Sequence, residues 1–282
     1  LDYSPVVGSL RVSVAAVDPL AGADVDANVG ALAGAVTTAV NSGTISSAPF
    51  DTLNTLPDAA QYEQALGDAL PTLNEGVARE IFESGNLASA ALDRHLTAEG
   101  SGVWGQIAVR GAEQDAVSAT VDGYESDQLV FTIGGDMAVG ENLRVGLMAS
   151  YADIDIDNET AAGAFTGSSD VESTRLGAYI AGTFSERGFV NVDLSYLTGE
   201  ADSVRNGLMG QASSSYDFDG FAGRIAVGYD VLGSDGASLT PTIGLNAASI
   251  GFDDAQETGA FGFLVEREDS DFLEGRIGAE LA

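Results

Sequence analysis

Between Val103 and Ala282 the chain divides into eight stretches of alternating apolar and polar residues, joined by connections that are alternately short and long. The short ones are Gly140-Glu141-Asn142, Glu186-Arg187-Gly188 and Leu232-Gly233-Ser234-Asp235-Gly236, built from residues that accept positive φ or cap a turn. The long ones are acidic and run from about Gly111 to Asp127, Asp157 to Val171, Glu200 to Ser215 and Asp253 to Ser270. In an up-and-down barrel, alternate connections leave the same rim. The rhythm therefore predicts an antiparallel transmembrane β-barrel with short periplasmic turns and long external loops.

The faces of the stretches agree. Leu143, Val145, Leu147, Ala149 and Tyr151 fall on one face, against Arg144, Gly146, Met148 and Ser150. Leu176, Ala178, Ile180 and Phe184 oppose Arg175, Gly177, Tyr179 and Thr183, and Val190, Val192, Leu194 and Tyr196 oppose Asn191, Asp193 and Ser195. Phe221, Ile225, Val227 and Tyr229 back onto Arg224, Gly228 and Asp230; Leu273, Ile277, Ala279 and Leu281 back onto Glu274, Arg276 and Glu280. Alternation alone does not choose between a barrel and a soluble sandwich, since the faces are the same and only the solvent is inverted. Strand length chooses: these stretches reach ten residues or more, where a soluble strand has about five or six and a tilted membrane strand needs about nine to eleven. Tyr151, Phe184, Tyr196, Phe221 and Tyr229 near strand ends fit an aromatic girdle.

Composition narrows the function. A formal charge of −32 with 11 basic residues excludes a nucleic-acid surface, which needs clustered lysine and arginine. There is no cysteine, so the chain could cross an oxidising periplasm without forming a wrong disulfide. No apolar run approaches the roughly 18 residues of a transmembrane helix, which says nothing against a barrel. Leu1 to Pro5 show neither a basic start nor an apolar core, so a mature or processed product is expected. The run Asp153-Ile-Asp155-Ile-Asp157 resembles the opening of a calcium loop, but Asn158 stands where such a loop needs glycine. Alternating Asp and Ile is also what a strand leaving a membrane shows. Asp153, Asp155 and Asp157 are the calcium candidates; no cofactor is expected.

Ahead of the barrel the texture changes. From Asp58 to Leu96 apolar residues such as Tyr62, Leu66, Leu70, Val77, Ile81 and Leu92 recur at roughly helical spacing, broken by Pro71, Gly76 and Gly85. Asp58 and Thr72 follow prolines and are the N-cap candidates. Leu1 to Ser47 is rich in alanine, valine, glycine and aspartate, with β-like pieces such as Leu10 to Val17. The expected organisation is an extended or β-solenoid-like segment over 1–50, a helical linker over 51–100 and the barrel over 101–282.

Trp104-Gly-Gln106 opening the first strand, then Gly134-Gly-Asp136, Leu143-Arg-Val-Gly146, Leu176-Gly-Ala-Tyr179 and Gly223-Arg-Ile-Ala-Val-Gly-Tyr229, resemble in their order the C-terminal translocator domain of monomeric (type V) autotransporters. The preceding Ala59-Ala-Gln-Tyr-Glu-Gln-Ala-Leu66 is similar to the alanine-rich helix that the family carries before its barrel. The resemblance covers about Pro57 to Ala282. It implies a twelve-stranded outer-membrane barrel whose lumen is crossed by a helix leading to an N-terminal passenger at the cell surface. The implied partners are outer-membrane lipid, the chain's own passenger and the barrel-assembly machinery, and the implied state is a monomer. In that architecture the polar faces turn inward, so Arg110, Asp136, Arg144, Arg175, Asp193, Arg224, Glu274 and Arg276 line the lumen, with the arginines placed to hold the linker.

The chain departs from the family in showing eight strands and in ending at Glu280-Leu-Ala282 without a terminal aromatic. Eight strands enclose an interior just filled by side chains, whereas a helix needs about 10 Å. The expectation is a fragment of a longer protein; the alternative is a complete small barrel with its helix outside. Catalysis finds little support: His95 is the single histidine, and no Gly-x-Ser-x-Gly elbow or metal-ligand cluster appears. Some members of the family cut their own linker at an asparagine, which draws attention to Asn74 and Asn86, but no enzymatic role is expected. Two other readings stay open: a small structural or adhesive outer-membrane barrel, and a soluble acidic extracellular β-protein of a coat or filament.

Overall fold

The computed structural model describes residues 2–3, 10–11, 27–42, 61–62, 65–66, 75–97, 101–116, 123–159, 165–185, 187–207, 210–232, 239–259 and 262–281. A short β1 (Asp2–Tyr3) pairs antiparallel with β2 (Leu10–Arg11). Helix α1 spans Ala27–Asn41, where an extended segment was expected. Its buried residues Val29, Leu32, Ala33 and Val36 keep the i, i+3, i+4, i+7 helical period, which the β-branched composition of the segment masks. Helical turns at 61–62 and 65–66 and helix α2 (Glu75–Thr97) follow; Asp58, Pro71, Thr72 and Asn74 lie outside the described residues.

The sheet comprises β3 (Val103–Gln114), β4 (Gly123–Ala138), β5 (Leu143–Glu159), β6 (Phe165–Phe184), β7 (Gly188–Gly207), β8 (Gly210–Tyr229), β9 (Leu239–Phe252) and β13 (Ser270–Leu281). Between the last two lie the small strands β10 (Ala255–Gln256), β11 (Thr258–Gly259) and β12 (Leu264–Val265). Each long strand pairs antiparallel with its predecessor, and the path runs from β3 to β13 without those two strands pairing with each other. The result is a curled half-barrel with α2 against its inner face. This arrangement corrects the alternative of a small closed barrel with the helix outside.

Three of the four connections read as long acidic loops are mostly strand. The sheet continues until only residues 115–122, 160–164 and 208–209 separate β3 from β4, β5 from β6 and β7 from β8. Period-two alternation persists there with its faces exchanged. On β5, Leu143, Leu147 and Tyr151 are exposed on the outer face, and Asp153, Asp155 and Asp157 continue that face. Ala152, Ile154 and Ile156 are buried on the inner one. The fourth connection, from Asp253 to Asp269, stays long. It is tied back by β11 pairing with the start of β8 and by Arg205, whose guanidinium donates two hydrogen bonds to Glu257 at 3.2 and 2.8 Å.

The outer face is the one a soluble sheet would bury. Leu147 is 68% exposed and Leu194 63%, against polar inner neighbours such as Thr132, Asn191, Asp193 and Ser195 that are buried. Aromatic side chains mark the limits of this apolar band. Phe131 lies opposite Tyr151, and Tyr196 opposite Phe221 with ring centroids 5.4 Å apart, at the acidic end; Phe184 and Tyr229 flank Gly188 at the short-turn end. From Phe221 to Tyr229 the strand rises roughly 26 Å at about 3.3 Å per residue, which a tilt of about 40° shortens to a belt of roughly 20 Å along the membrane normal, somewhat below the roughly 25 Å band of membrane barrels.

Candidate functional site

Helix α2 is about 34 Å long at 1.5 Å per residue and makes contacts along its whole length. Its first half lies in an apolar nest at the acidic end. Val77, Ile81 and Phe82 pack with the inward Ile154, Ile156, Val171, Phe218 and Ile250, and Phe82 stacks on Phe272 at 4.8 Å. Its second half reaches the short-turn end, where Leu92 packs on Met148 and Tyr179. Glycines permit the close approach: a Cβ on Gly85 would collide with the Arg175 guanidinium, and one on Gly76 would stand 3.3 Å from the Tyr124 ring.

Polar contacts set the helix's rotation and depth. Glu80 is 1% exposed, ion-paired to Arg110 and hydrogen-bonded by Gln128 and by the Tyr124 hydroxyl at 3.0 Å. The Tyr124 phenol is pushed up to about 12 by burial first and then by the charge and hydrogen bond of Glu80. Nearly two turns on, Asn86 accepts from Asn246 at 2.8 Å and donates to Glu274 at 3.2 Å, while Arg276 lies 3.7 Å from Glu83. Ser89 donates to Asp193, which also receives Arg175 at 3.3 Å. Arg224 donates to the Ser89 carbonyl at 3.0 Å and ion-pairs with Asp93. At the C-terminal end His95 Nε2 is 2.8 Å from Asp136, whose carboxylate also accepts from Gly102 N and the Tyr179 hydroxyl. Trp104 stacks on His95 and donates its indole N–H to Tyr179 at 2.9 Å.

Seven of the eight residues placed on the polar face by alternation thus meet α2 directly or through one neighbour: Arg110, Asp136, Arg175, Asp193, Arg224, Glu274 and Arg276. Arg144 makes no hydrogen bond or ion pair among the described residues, and its Nη1 is buried. Sequence reasoning overlooked Glu80, Glu83 and Asp93 as the helix's share of these pairs. The signal was present, since acids at helical spacing beside buried apolar residues require cations from elsewhere. It also missed Trp104 as the ring stacked on His95, and Tyr179 as the hydroxyl that joins Trp104 to Asp136. Asp153, Asp155 and Asp157 project side by side on an exposed face, opposite Glu172, Asp170 and Ser168, and among the described residues no group of three or more potential ligands converges as a metal site.

The autotransporter β-domain family model matches residues 103–282, the whole of the curled sheet. The chain belongs to the autotransporter β-domain family. Two proteins named outer membrane protein A are among its relatives. That of Rickettsia conorii is 27% identical over 64% of this chain and 9% of its own length, and that of Rickettsia rickettsii 26% identical over 64% and 8%. The chain therefore spans less than a tenth of these relatives. Among solved structures, the translocator domain of the autotransporter NalP from Neisseria meningitidis shares the fold at a TM-score of 0.62 with 18% identity, over 73% of this chain and 71% of that one. This autotransporter domain is an outer-membrane translocator barrel, and such domains are generally not enzymes. The exposed apolar belt is its lipid face, and the polar inner face is what the helix occupies.

Proposed function

We propose that α2 is the linker of a passenger that has crossed this barrel, so that the segment before it stands at the cell surface while the barrel anchors it in the membrane. The observation that carries the reading is the direction of α2. Its N-terminal Glu80 is held beside Arg110 and Tyr124 at the acidic rim, and its C-terminal His95 beside Asp136 at the short-turn rim, where β3 begins. A chain entering β3 from the periplasm has then already passed outward along the inner face. Lining by Arg110, Arg175, Arg224 and Arg276 supports the same reading, because each presents a fixed cation to the helix or to its immediate partners. Insertion through the barrel-assembly machinery and function as a monomer accompany this proposal.

The absence of cysteine makes the test direct. Ala35→Cys on the exposed side of α1 and Asn142→Cys in a short turn are each expressed in cells and treated with a membrane-impermeant maleimide. Labelling of the first and protection of the second in intact cells is expected. The reverse pattern would overturn the orientation.

A further inference from the structure

The inner-face arginines other than Arg144 end on carboxylates: Arg110 on Glu80, Arg175 on Asp193, Arg205 on Glu257, Arg224 on Asp93 and Arg276 on Glu83 and Glu274. Arg144 has no such acceptor, and the register explains why. Its cross-strand neighbours are Ala138 on β4 and Ala181 on β6. The next inner position along β5 is Gly146, opposite Asp136, whose oxygens are already taken by Gly102 N, His95 and Tyr179. A guanidinium nitrogen buried without an acceptor is costly. Arg144 lines a cavity of about 640 Å³ at the short-turn rim, with Leu96 and Thr97 of α2 and with Phe189 and Ala226 forming part of an apolar wall. The acids that border the cavity are engaged or exposed. Asp93 takes Arg224 and Asn191, Asp230 accepts from Leu232 N and Leu239 N, and Glu141 faces solvent.

We infer that this cavity is a carboxylate-binding site in which Arg144 receives an aspartate or glutamate side chain of an extended polypeptide on the inner side of the barrel. The inference rests on the translocator reading above and assigns it a station on the path. The chain's own composition identifies the occupant. Before α2 the acids Asp18, Asp24, Asp26, Asp51 and others stand against the single base Arg11, so any segment of this chain moving past the short-turn rim brings carboxylates to Arg144. Bidentate acceptance by a carboxylate is what a guanidinium fork is shaped for, and the apolar wall accommodates the alanine and valine that separate those aspartates.

Trp104 is the sole tryptophan and is linked through the Tyr179 hydroxyl to the strand position facing Gly146, so its emission reports on this region. The folded chain in detergent is titrated with a peptide of residues 18–27, with the same peptide carrying Asn at its Asp positions, and with inorganic phosphate. The expected result is a saturable change with the acidic peptide, at least tenfold weaker for the Asn peptide and for Arg144→Gln. Equal binding by both peptides, or by wild type and Arg144→Gln, would overturn the site, and tighter saturation by phosphate than by the peptide would replace the carboxylate with a phosphate ligand. Because Arg144 makes no hydrogen bond or ion pair among the described residues, Arg144→Gln without ligand should melt no lower than wild type; a clear loss of stability would assign it a structural role instead. Surface labelling of Ala35→Cys is independent of this titration. Normal labelling without peptide binding removes the site alone, and binding without labelling removes the translocation path.

Discussion

Glu80 on α2 and Arg110 on β3 form an ion pair in which the carboxylate is 1% exposed and the guanidinium partly open to solvent, with Gln128 and Tyr124 completing the shell. The asymmetry decides what each substitution does. Removing Arg110 leaves a buried charge, whereas neutralising Glu80 leaves a cation that can turn to water. Arg110→Ala should therefore cost about 3 kcal/mol or more and Glu80→Gln clearly less, with the double variant recovering part of the Arg110→Ala loss. Urea unfolding followed by heat-modifiable gel mobility measures this, and equal costs for the two single changes would contradict it.

Gly146 and Tyr179 lie opposite each other across β5 and β6, and a Cβ at Gly146 would enter the Tyr179 ring. Gly146→Ala should lose about 1–3 kcal/mol through overpacking and shift Trp104 emission, because it displaces the hydroxyl that the indole N–H donates to. Tyr179→Phe should shift the emission too, while costing about 1–2 kcal/mol for the orphaned Trp104 and Asp136 groups.

On the outer face beyond the aromatic row, Asp127, Asp155, Asp170 and Asp202 stand directly opposite one another across four strands. The Asp155 carboxyl is raised above its ordinary value by partial desolvation first and then by Asp170 and Asp127. A raised carboxyl favours the fold below the ordinary carboxylate pKa, and that advantage is lost as the pH climbs through the raised value. Asp155→Asn should therefore stabilise the protein at neutral pH by a few tenths to about 1 kcal/mol, with little effect in acid. The gain should shrink in high salt, as screening predicts; a gain that grows with salt would count against like-charge repulsion.

Val192 lies on the exposed outer face midway along the apolar band, and Thr198 lies on the same face beyond Tyr196. Val192→Arg should cost about 2–4 kcal/mol in lipid and Thr198→Arg about 0–1. Refolding equilibria in phospholipid vesicles compare the two, and equal penalties would place the hydrocarbon boundary elsewhere.

The strand order, the faces and the two rims were legible from residue order, because period-two alternation and turn composition are local properties. Leu143 to Tyr151 identifies its own outer face without any neighbour. The strand ends were misjudged beyond Tyr151 for a physical reason. Once a strand clears the hydrocarbon, its outer face can be acidic and its inner face apolar, so Asp153-Ile-Asp155-Ile-Asp157 reads as a loop unless the inward Ile154 and Ile156 are seen to meet Val77 and Ile81. Helix α1 was hidden by valine and threonine, whose weak helical preference the burial of one face overrides.

Residue order by itself determined which side chains share a face, and hence that Arg110, Arg144, Arg175 and Arg224 point one way. Only the tertiary structure decided their partners. Asn86 and Glu274, 188 residues apart, meet because the rotation and depth of α2 inside the curled sheet bring them together, and the same rotation leaves Arg144 facing a cavity. Alternation is a one-dimensional signal carried by each strand alone, whereas charge pairing depends on where a separate helix comes to rest.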